Sequence, residues 1–119
     1  MARTNVLEVP AYGSTATFIV SEANGYRSRE EITVGQGGLY PDGLILMRAG
    51  DRYVPFDGSG DAVAVLFQTV DARESDARAT GMFRACELQR ALLKFADGVT
   101  DAQREAAYAS LAREHIILR

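Results

Sequence analysis

The chain is poor in cysteine and in long apolar runs. Cys86 is its single cysteine, so no internal disulfide can form, and one thiol cannot by itself build a metal site. The longest apolar stretches, residues 62–70 and 44–47, are far shorter than the roughly 20 residues that span a bilayer. The N-terminus also lacks the apolar core of a signal peptide. We therefore expect no membrane partner, and stability that comes from packing or from self-association.

Positive charge is also scarce. The formal net charge is −3, the isoelectric point is near 5.1, and the arginines are scattered along the chain. Nucleic-acid binding depends on neutralising phosphates, so we expect no nucleic-acid partner, and the same balance disfavours a five-stranded single-strand binder. Lys94 is the single lysine. Arginine suits ordered contacts at protein interfaces, although genome base composition explains this bias equally well.

Three patterns approach reactive or ligand-binding motifs, and each is incomplete. Cys86 and His115 could act as nucleophile and base, but no spacing brings their distant elements together. Asp57 and Asp61 flank a glycine-rich turn that lacks the bidentate glutamate of a calcium loop. Residues 35–38 do not follow a strand and open a helix, as a phosphate-binding loop does. The sequence thus predicts no enzyme, no metal and no cofactor.

The centre of the predicted fold is antiparallel. A chain of 119 residues is too short for two separate cores, so we expect one domain. Residues 43–57 predict a β-hairpin that turns at Gly50. Residues 62–70 are unbroken by charge and predict a strand buried on both faces, and residues 79–86 predict a fourth strand. We interpret residues 44–86 as an antiparallel meander in a small, β-rich α+β domain.

The segments around this centre are less regular. Residues 18–34 predict a two-stranded ribbon that turns at an Asn-Gly pair. A type I turn with Pro41 at its second position leads into the hairpin. Residues 71–78 predict a connecting loop, and residues 87–95 fit a helix or a strand equally.

The clearest helix runs from about residue 101 to residue 113. Thr100 and Gln103 have the spacing of a capping box, and Asp101 places negative charge at the positive end of the helix dipole. The predicted apolar stripe consists of Ala102, Ala106, Ala109 and Leu111. Residues 115–119 predict a terminal strand that returns to the sheet.

Residues 1–17 predict an extended arm. They mix β-branched residues with Pro10 and Gly13 and show no helical periodicity. Pro10 lacks an N–H group and therefore fits an edge position rather than a central strand. A terminal arm of this length becomes ordered when a partner holds it. Folding back onto its own domain is the alternative.

A set of short fragments in fixed order carries a resemblance to a known family. The fragments are Phe18-x-x-Ser21-Glu22-Ala23-Asn24-Gly25-x-Arg27-Ser28-Arg29-x-x-Ile32-Thr33, Asp42-Gly43-x-Ile45-Leu46, Tyr53-Val54-Pro55, Val70-Asp71-Ala72, Thr100-Asp101-Ala102-Gln103 and Ile116-Ile117-Leu118-Arg119. Over roughly residues 18–119 the chain resembles the lambda-type bacteriophage head decoration proteins, also called capsid-stabilising or cement proteins. It departs from them before the terminal strand, where related sequences often have glycine and this chain has Glu114 and His115.

The resemblance implies a structural protein of the virion. It implies a small mixed α/β body that forms homotrimers on the outer surface of an icosahedral head, at three-fold and quasi-three-fold positions. Its partners would be the major capsid protein and further copies of the chain, with host cytoplasm as its location during assembly. Residues 1–17 would be a capsid-binding arm and residues 18–119 a single decoration domain, with no reaction and no cofactor.

The resemblance also gives the arm a role. It implies that the arm becomes ordered by pairing with strands of the major capsid protein. The side chains that we predict to contact the capsid are Val6, Leu7, Val9, Tyr12, Phe18 and Val20. The alternative function is a non-viral adaptor or scaffold that binds a partner by strand addition.

Overall fold

The structure is a computed structural model that describes residues 17–23, Gly25 and residues 27–119. The described residues are mostly β-strand with one α-helix near the C-terminus, which confirms the predicted fold class. The strands are β1 Ile19–Glu22, β2 Arg29–Val34, β3 Leu39–Tyr40, β4 Ile45–Ala49, β5 Arg52–Pro55, β6 Ala62–Leu66, β7 Val70–Asp71, β8 Ala77–Met82, β9 Cys86–Leu88 and β10 Ile116–Leu118. A 3-10 helix covers Arg90–Leu92, and the α-helix, α1, covers Asp101–Arg113.

Five strands close into a barrel in the order β2-β5-β4-β6-β8. The predicted hairpin is confirmed: β4 and β5 pair antiparallel, and Gly50 between them has φ +66°. β6 then pairs antiparallel with β4 on the side away from β5, so strand order departs from chain order. β2 closes the barrel, running antiparallel to β8 and parallel to β5. The barrel core contains Ile32, Val34, Leu44, Leu46, Ala64, Leu66, Ala79 and Phe83, among others.

β6 is buried on both faces, as its uncharged sequence predicts. Ala64 and Leu66 belong to the barrel core, whereas Ala62 and Val65 belong to a second core on the other side of the barrel wall. The strand stops at Leu66, however, and the uncharged run continues through Gln68 and Thr69 into β7, which pairs with β3 in a separate two-stranded sheet. The nine-residue run therefore forms two strands rather than one.

The strand predicted over residues 79–86 is also divided. β8 ends at Met82 and β9 begins at Cys86, in a different sheet. Ala85 has φ +55°, a left-handed conformation that interrupts extended backbone. Residues 87–95 complete β9 and then form the 3-10 helix, so they combine the two predicted alternatives.

The turn into the hairpin begins one residue later than predicted. The N–H of Leu44 donates to the carbonyl of Pro41 at 3.3 Å, which makes Pro41 the first turn residue. Gly43 is then the third, with φ +81°. A Cβ at Gly43 would lie 2.9 Å from the carbonyl oxygen of Leu92, so the site accepts only glycine without rearrangement.

The strands β1, β9 and β10 form a three-stranded sheet in the order β1-β9-β10. β10 pairs parallel with β9, which confirms the terminal strand, and β1 pairs antiparallel with β9. The predicted ribbon over residues 18–34 is wrong, because β1 and β2 lie in different sheets. The second core, called here the outer core, lies among this sheet, α1 and the barrel wall, and includes Phe18, Ile45, Met47, Phe56, Val65, Leu88, Leu111 and Ile116.

Helix α1 confirms the predicted bounds and capping box, but of the predicted apolar stripe only Leu111 is buried. Thr100 Oγ1 accepts the Gln103 N–H at 3.2 Å, and Gln103 Oε1 accepts the Thr100 N–H at 2.9 Å. The buried residues are Ala107, Ser110 and Leu111, whereas Ala102, Ala106 and Ala109 are exposed. Alanines on all sides give this helix little apolar contrast, so its contacts with β6 and β10 select the face. No helix in the described part of the chain is long and apolar enough to cross a membrane.

Candidate functional site

The predicted arm leads directly into β1, which is an edge strand of the three-stranded sheet. Ile19 pairs with Leu88 and Ser21 with Glu87, so Val20 is an extra residue in a β-bulge. The Val20 side chain is 48% exposed. The bulge therefore presents an apolar side chain to solvent three residues from the start of the described chain.

The described part of the chain contains two of the six predicted capsid contacts. Phe18 is 1% exposed and packs in the outer core, and its carbonyl accepts the Gln89 N–H at 2.7 Å. Its side chain is inaccessible to a partner in this conformation and instead fixes the base of the arm. Val20 lies at the surface. The other four, Val6, Leu7, Val9 and Tyr12, lie outside the described residues, as does the arm itself apart from Thr17.

A partly buried polar cluster joins β1 to the barrel. Glu22 Oε1 accepts hydrogen bonds from Ser28 Oγ at 2.5 Å and from Arg29 Nε at 3.1 Å, and Glu22 Oε2 accepts from Arg29 Nη2 at 2.6 Å. Ser28 is fully buried, and the Arg29 guanidinium lies 4.2 Å from the centroid of the Phe67 ring. Bidentate pairing of this kind restricts orientation as well as distance. The cluster thus fixes the strand that carries the arm against β2.

The same cluster sets the electrostatics of this junction. The hydrogen bonds from Arg29 are the main reason that the pKa of Glu22 is lowered, and they outweigh the partial burial that opposes ionisation. Cys86 pairs with Glu22 across the sheet, and burial, together with the Glu22 charge, raises the pKa of its thiol to about 11. A carboxylate and a protonated thiol therefore lie side by side at neutral pH.

The chain segments that carry Cys86 and His115 are neighbours in the structure, but the contact between them is a hydrogen bond between backbone groups. The Cys86 N–H donates to the His115 carbonyl at 3.3 Å. Nucleophilic cysteines react as thiolates, and a buried thiol with a raised pKa is protonated at neutral pH. His115 is exposed, with φ +61°. The arrangement favours a packing role for Cys86.

The outer face of the three-stranded sheet carries a second exposed apolar side chain, which the sequence analysis missed. Ile117 on β10 is 46% exposed and pairs with Glu87 of β9. Arg119 Nη2 donates to Glu87 Oε2 at 3.0 Å, and this pairing lowers the pKa of Glu87. The three residues of β10 are all apolar: Ile116, Ile117 and Leu118. The sequence therefore has no alternation of polar and apolar residues that would identify Ile117 as the exposed one. Val20 and Ile117 are thus the large apolar side chains that this sheet exposes within the described part of the chain.

Comparison with known protein families identifies the chain. Residues 12–116 match the model of the family described as bacteriophage lambda head decoration protein D. The match includes Tyr12, Phe18 and Val20, strands β1 to β9, α1 and the first residue of β10, and it begins after Val6, Leu7 and Val9. A search of curated proteins finds no match. Because the match covers nearly the whole chain, this protein belongs to the bacteriophage lambda head decoration protein D family.

Proposed function

We propose that this protein binds as a trimer to the outside of an expanded icosahedral phage head, or of a phage-like particle, and stabilises it against internal DNA pressure. The family match over residues 12–116 carries the proposal, since the family is one of phage head decoration proteins and not of enzymes. It supports a location on the exterior of the virion capsid. The sites would be the three-fold and quasi-three-fold positions, with the protein in host cytoplasm during assembly.

In this proposal the arm makes the main contact with the capsid. Residues 1–17 add a strand to the major capsid protein, and Val6, Leu7, Val9 and Tyr12 bury apolar surface there, with Val20 at the base. Each main-chain hydrogen bond contributes about 0.5–1.5 kcal/mol net. Ordering an arm costs about 1–2 kcal/mol per residue in backbone entropy. One arm by itself therefore binds weakly unless side chains are also buried.

Anchoring and multivalency make such an arm effective. The burial of Phe18 and the Glu22–Arg29 pair support the proposal, because they join the base of the arm to the outer core and to strand β2 of the barrel. Three arms on one trimer would engage at high effective concentration once the first is bound. A protein that binds only the expanded lattice stabilises that lattice by mass action.

Deleting residues 2–16 tests the arm. We expect the truncated protein to remain folded and trimeric and to lose binding to expanded heads, because the barrel, the three-stranded sheet and α1 are built from residues that the deletion leaves in place. Co-sedimentation with expanded and unexpanded heads measures binding, and circular dichroism with light scattering checks fold and mass. A truncated protein that decorates expanded heads as the full chain does would overturn the arm mechanism. Equal binding to unexpanded heads by the full chain would favour the adaptor function instead.

A further inference from the structure

Two arginines differ from the others in the described part of the chain. Most of the described arginine side chains donate hydrogen bonds or form ion pairs within the chain: Arg29, Arg48, Arg52, Arg73, Arg78, Arg84, Arg113 and Arg119. The side chains of Arg90 and Arg104 do neither among the described residues, and both are exposed. Their charges are therefore available to an anionic partner.

Aromatic rings hold both of these guanidinium groups in place. Arg90 Cζ lies 4.8 Å from the centroid of the Tyr108 ring, and Arg104 Cζ lies 4.9 Å from the centroid of the Phe95 ring. The two rings meet edge to face, with their centroids 5.7 Å apart. A guanidinium that is stacked on a ring has less conformational freedom to lose when it pairs with a partner. We call these four residues the arginine–aromatic surface.

The arginine–aromatic surface lies beside the base of the arm. The Gln89 N–H donates to the Phe18 carbonyl at 2.7 Å, and the Arg90 N–H donates to the Arg119 carbonyl at 3.1 Å. Strand β1 begins opposite the end of β9, where Ile19 pairs with Leu88. The arm thus enters the three-stranded sheet at the end from which the chain continues to Arg90. A protein that holds the arm would be close to this surface.

The composition of the surface defines the chemistry of its partner. Planar guanidinium groups match carboxylates in geometry and in charge. Arginine and tyrosine are also the residue types that contribute most to binding at protein interfaces, and Leu92, next to Arg90 in the 3-10 helix, leaves 40% of its side chain exposed. The net charge of −3 disfavours a polyphosphate partner such as nucleic acid. These features favour an acidic segment of a protein.

We propose that the arginine–aromatic surface binds carboxylate groups of the major capsid protein, next to the point where the arm is anchored. The inference rests on the proposed function and adds to the arm a second contact with the same partner. Once the arm is bound, the second contact forms at high effective concentration. The two contacts together fix the orientation of the domain on the capsid.

Removing the two charges tests this contact. The variant Arg90→Gln/Arg104→Gln keeps part of each side-chain stem and loses both guanidinium groups. We expect binding to expanded heads, measured by co-sedimentation at low salt, to weaken about tenfold, because charge-assisted contacts are lost. The difference from the wild type should fall to about twofold in about 1 M salt, where the Debye length is about 3 Å.

The matched control is Arg73→Gln/Arg78→Gln. It removes the same charge from two exposed arginines, which pair with Asp71 and Glu31 in the same chain. This control should bind expanded heads within about twofold of the wild type. Circular dichroism and light scattering check that both double variants keep the fold and the mass of the wild type. Loss of self-association in the Arg90→Gln/Arg104→Gln variant alone would assign the surface to contacts between copies and overturn the capsid contact.

Glu8, the single acidic residue of the arm, is the alternative carboxylate within the same chain. Adding Arg90→Gln/Arg104→Gln to a Glu8→Gln chain separates the two, since interacting groups give non-additive losses. We expect the full tenfold loss in this background. No further loss would make Glu8 the occupant and overturn the capsid contact.

Three other results would also overturn the contact: wild-type binding by the Arg90→Gln/Arg104→Gln variant, an equal loss in the control, or a loss that salt does not reduce. Each of them leaves the proposed function standing as long as the wild-type chain decorates expanded heads. A wild-type chain that binds no heads overturns the proposed function and the contact together.

Discussion

At the scale of single residues, His115 occupies a position that favours glycine. It follows the helix, donates its N–H to the Ala112 carbonyl at 3.0 Å and has φ +61°. A side chain in this left-handed conformation costs about 1–2 kcal/mol, which is why glycine commonly ends helices there. His115 is therefore locally strained, in a conformation that glycine would adopt without this cost.

Replacing His115 by glycine should stabilise the protein. The relief of the left-handed strain exceeds the extra chain entropy of glycine, which is about 0.5–1 kcal/mol. We expect a gain of up to about 1 kcal/mol in urea unfolding. The control Ala112→Gly, at an exposed helical position, should lose about 1 kcal/mol. Equal losses in both variants would contradict the argument.

Glu22 should give the protein part of its acid sensitivity. Its folded pKa is lowered from 4.5, so the stability that it contributes is complete above pH 4.5 and disappears as pH falls through the folded pKa. Glu22→Gln should lower the free energy of unfolding at neutral pH by about 1–3 kcal/mol, because a charge-assisted bidentate pair is lost. The deficit should shrink in acid.

Urea unfolding at neutral pH and below pH 4 measures this dependence. Glu105→Gln, on the exposed side of α1, is the matched control and should change little at either pH. A Glu22→Gln deficit that stays constant into acid would show that the side chain contributes packing rather than charge.

At the scale of elements, the sequence of α1 determines where the helix begins and ends. It does not determine which face of the helix is buried. The capping box needs residues close together in the chain, so it is predictable from spacing. The buried face depends on β6 and β10, which lie far away in sequence. Alanine is tolerated both in the core and at the surface, so only the tertiary contacts determine which face of α1 is buried.

Two neighbouring alanines test the observed face. Ala107 is fully buried and Ala106 is exposed. Ala107→Val should lower the free energy of unfolding by about 1–3 kcal/mol, because extra methyl groups overpack the outer core. Ala106→Val should lose at most about 0.7 kcal/mol, the difference in helix propensity. Thermal unfolding monitored by circular dichroism compares the stabilities of the two variants. A larger loss for Ala106→Val than for Ala107→Val would support the predicted stripe instead of the observed face.

At the scale of the whole molecule, two cores share the barrel wall formed by β4 and β6. Ile45 and Met47 face the outer core, whereas Leu44 and Leu46 face the barrel core. Strand β8 also contributes to both cores, with Met82 in the outer core and Ala79 in the barrel core. The β1-β9-β10 sheet, which leads to the arm, packs on the outer core and not on the barrel core.

The proposed clamp requires self-association. Light scattering over increasing protein concentration should approach three times the 12.9 kDa chain mass. We expect this in the arm-deleted protein as well, since the arm is proposed to contact the capsid and not other copies of the chain. A mass that stays at one chain at every concentration, and on heads, would remove the multivalent part of the mechanism.

Local sequence determined the hairpin at Gly50, the capping box at Thr100, the bounds of α1 and the terminal strand. Each depends on residues within about four positions of one another, where turn and cap chemistry operate. The resemblance to the decoration proteins also came from fragments in the sequence. Tertiary structure alone decided the closure of the barrel by β2, the separation of β1 from β2, and the burial of Phe18. These depend on pairing and packing between distant segments, and no local pattern specifies which distant partner a strand will choose.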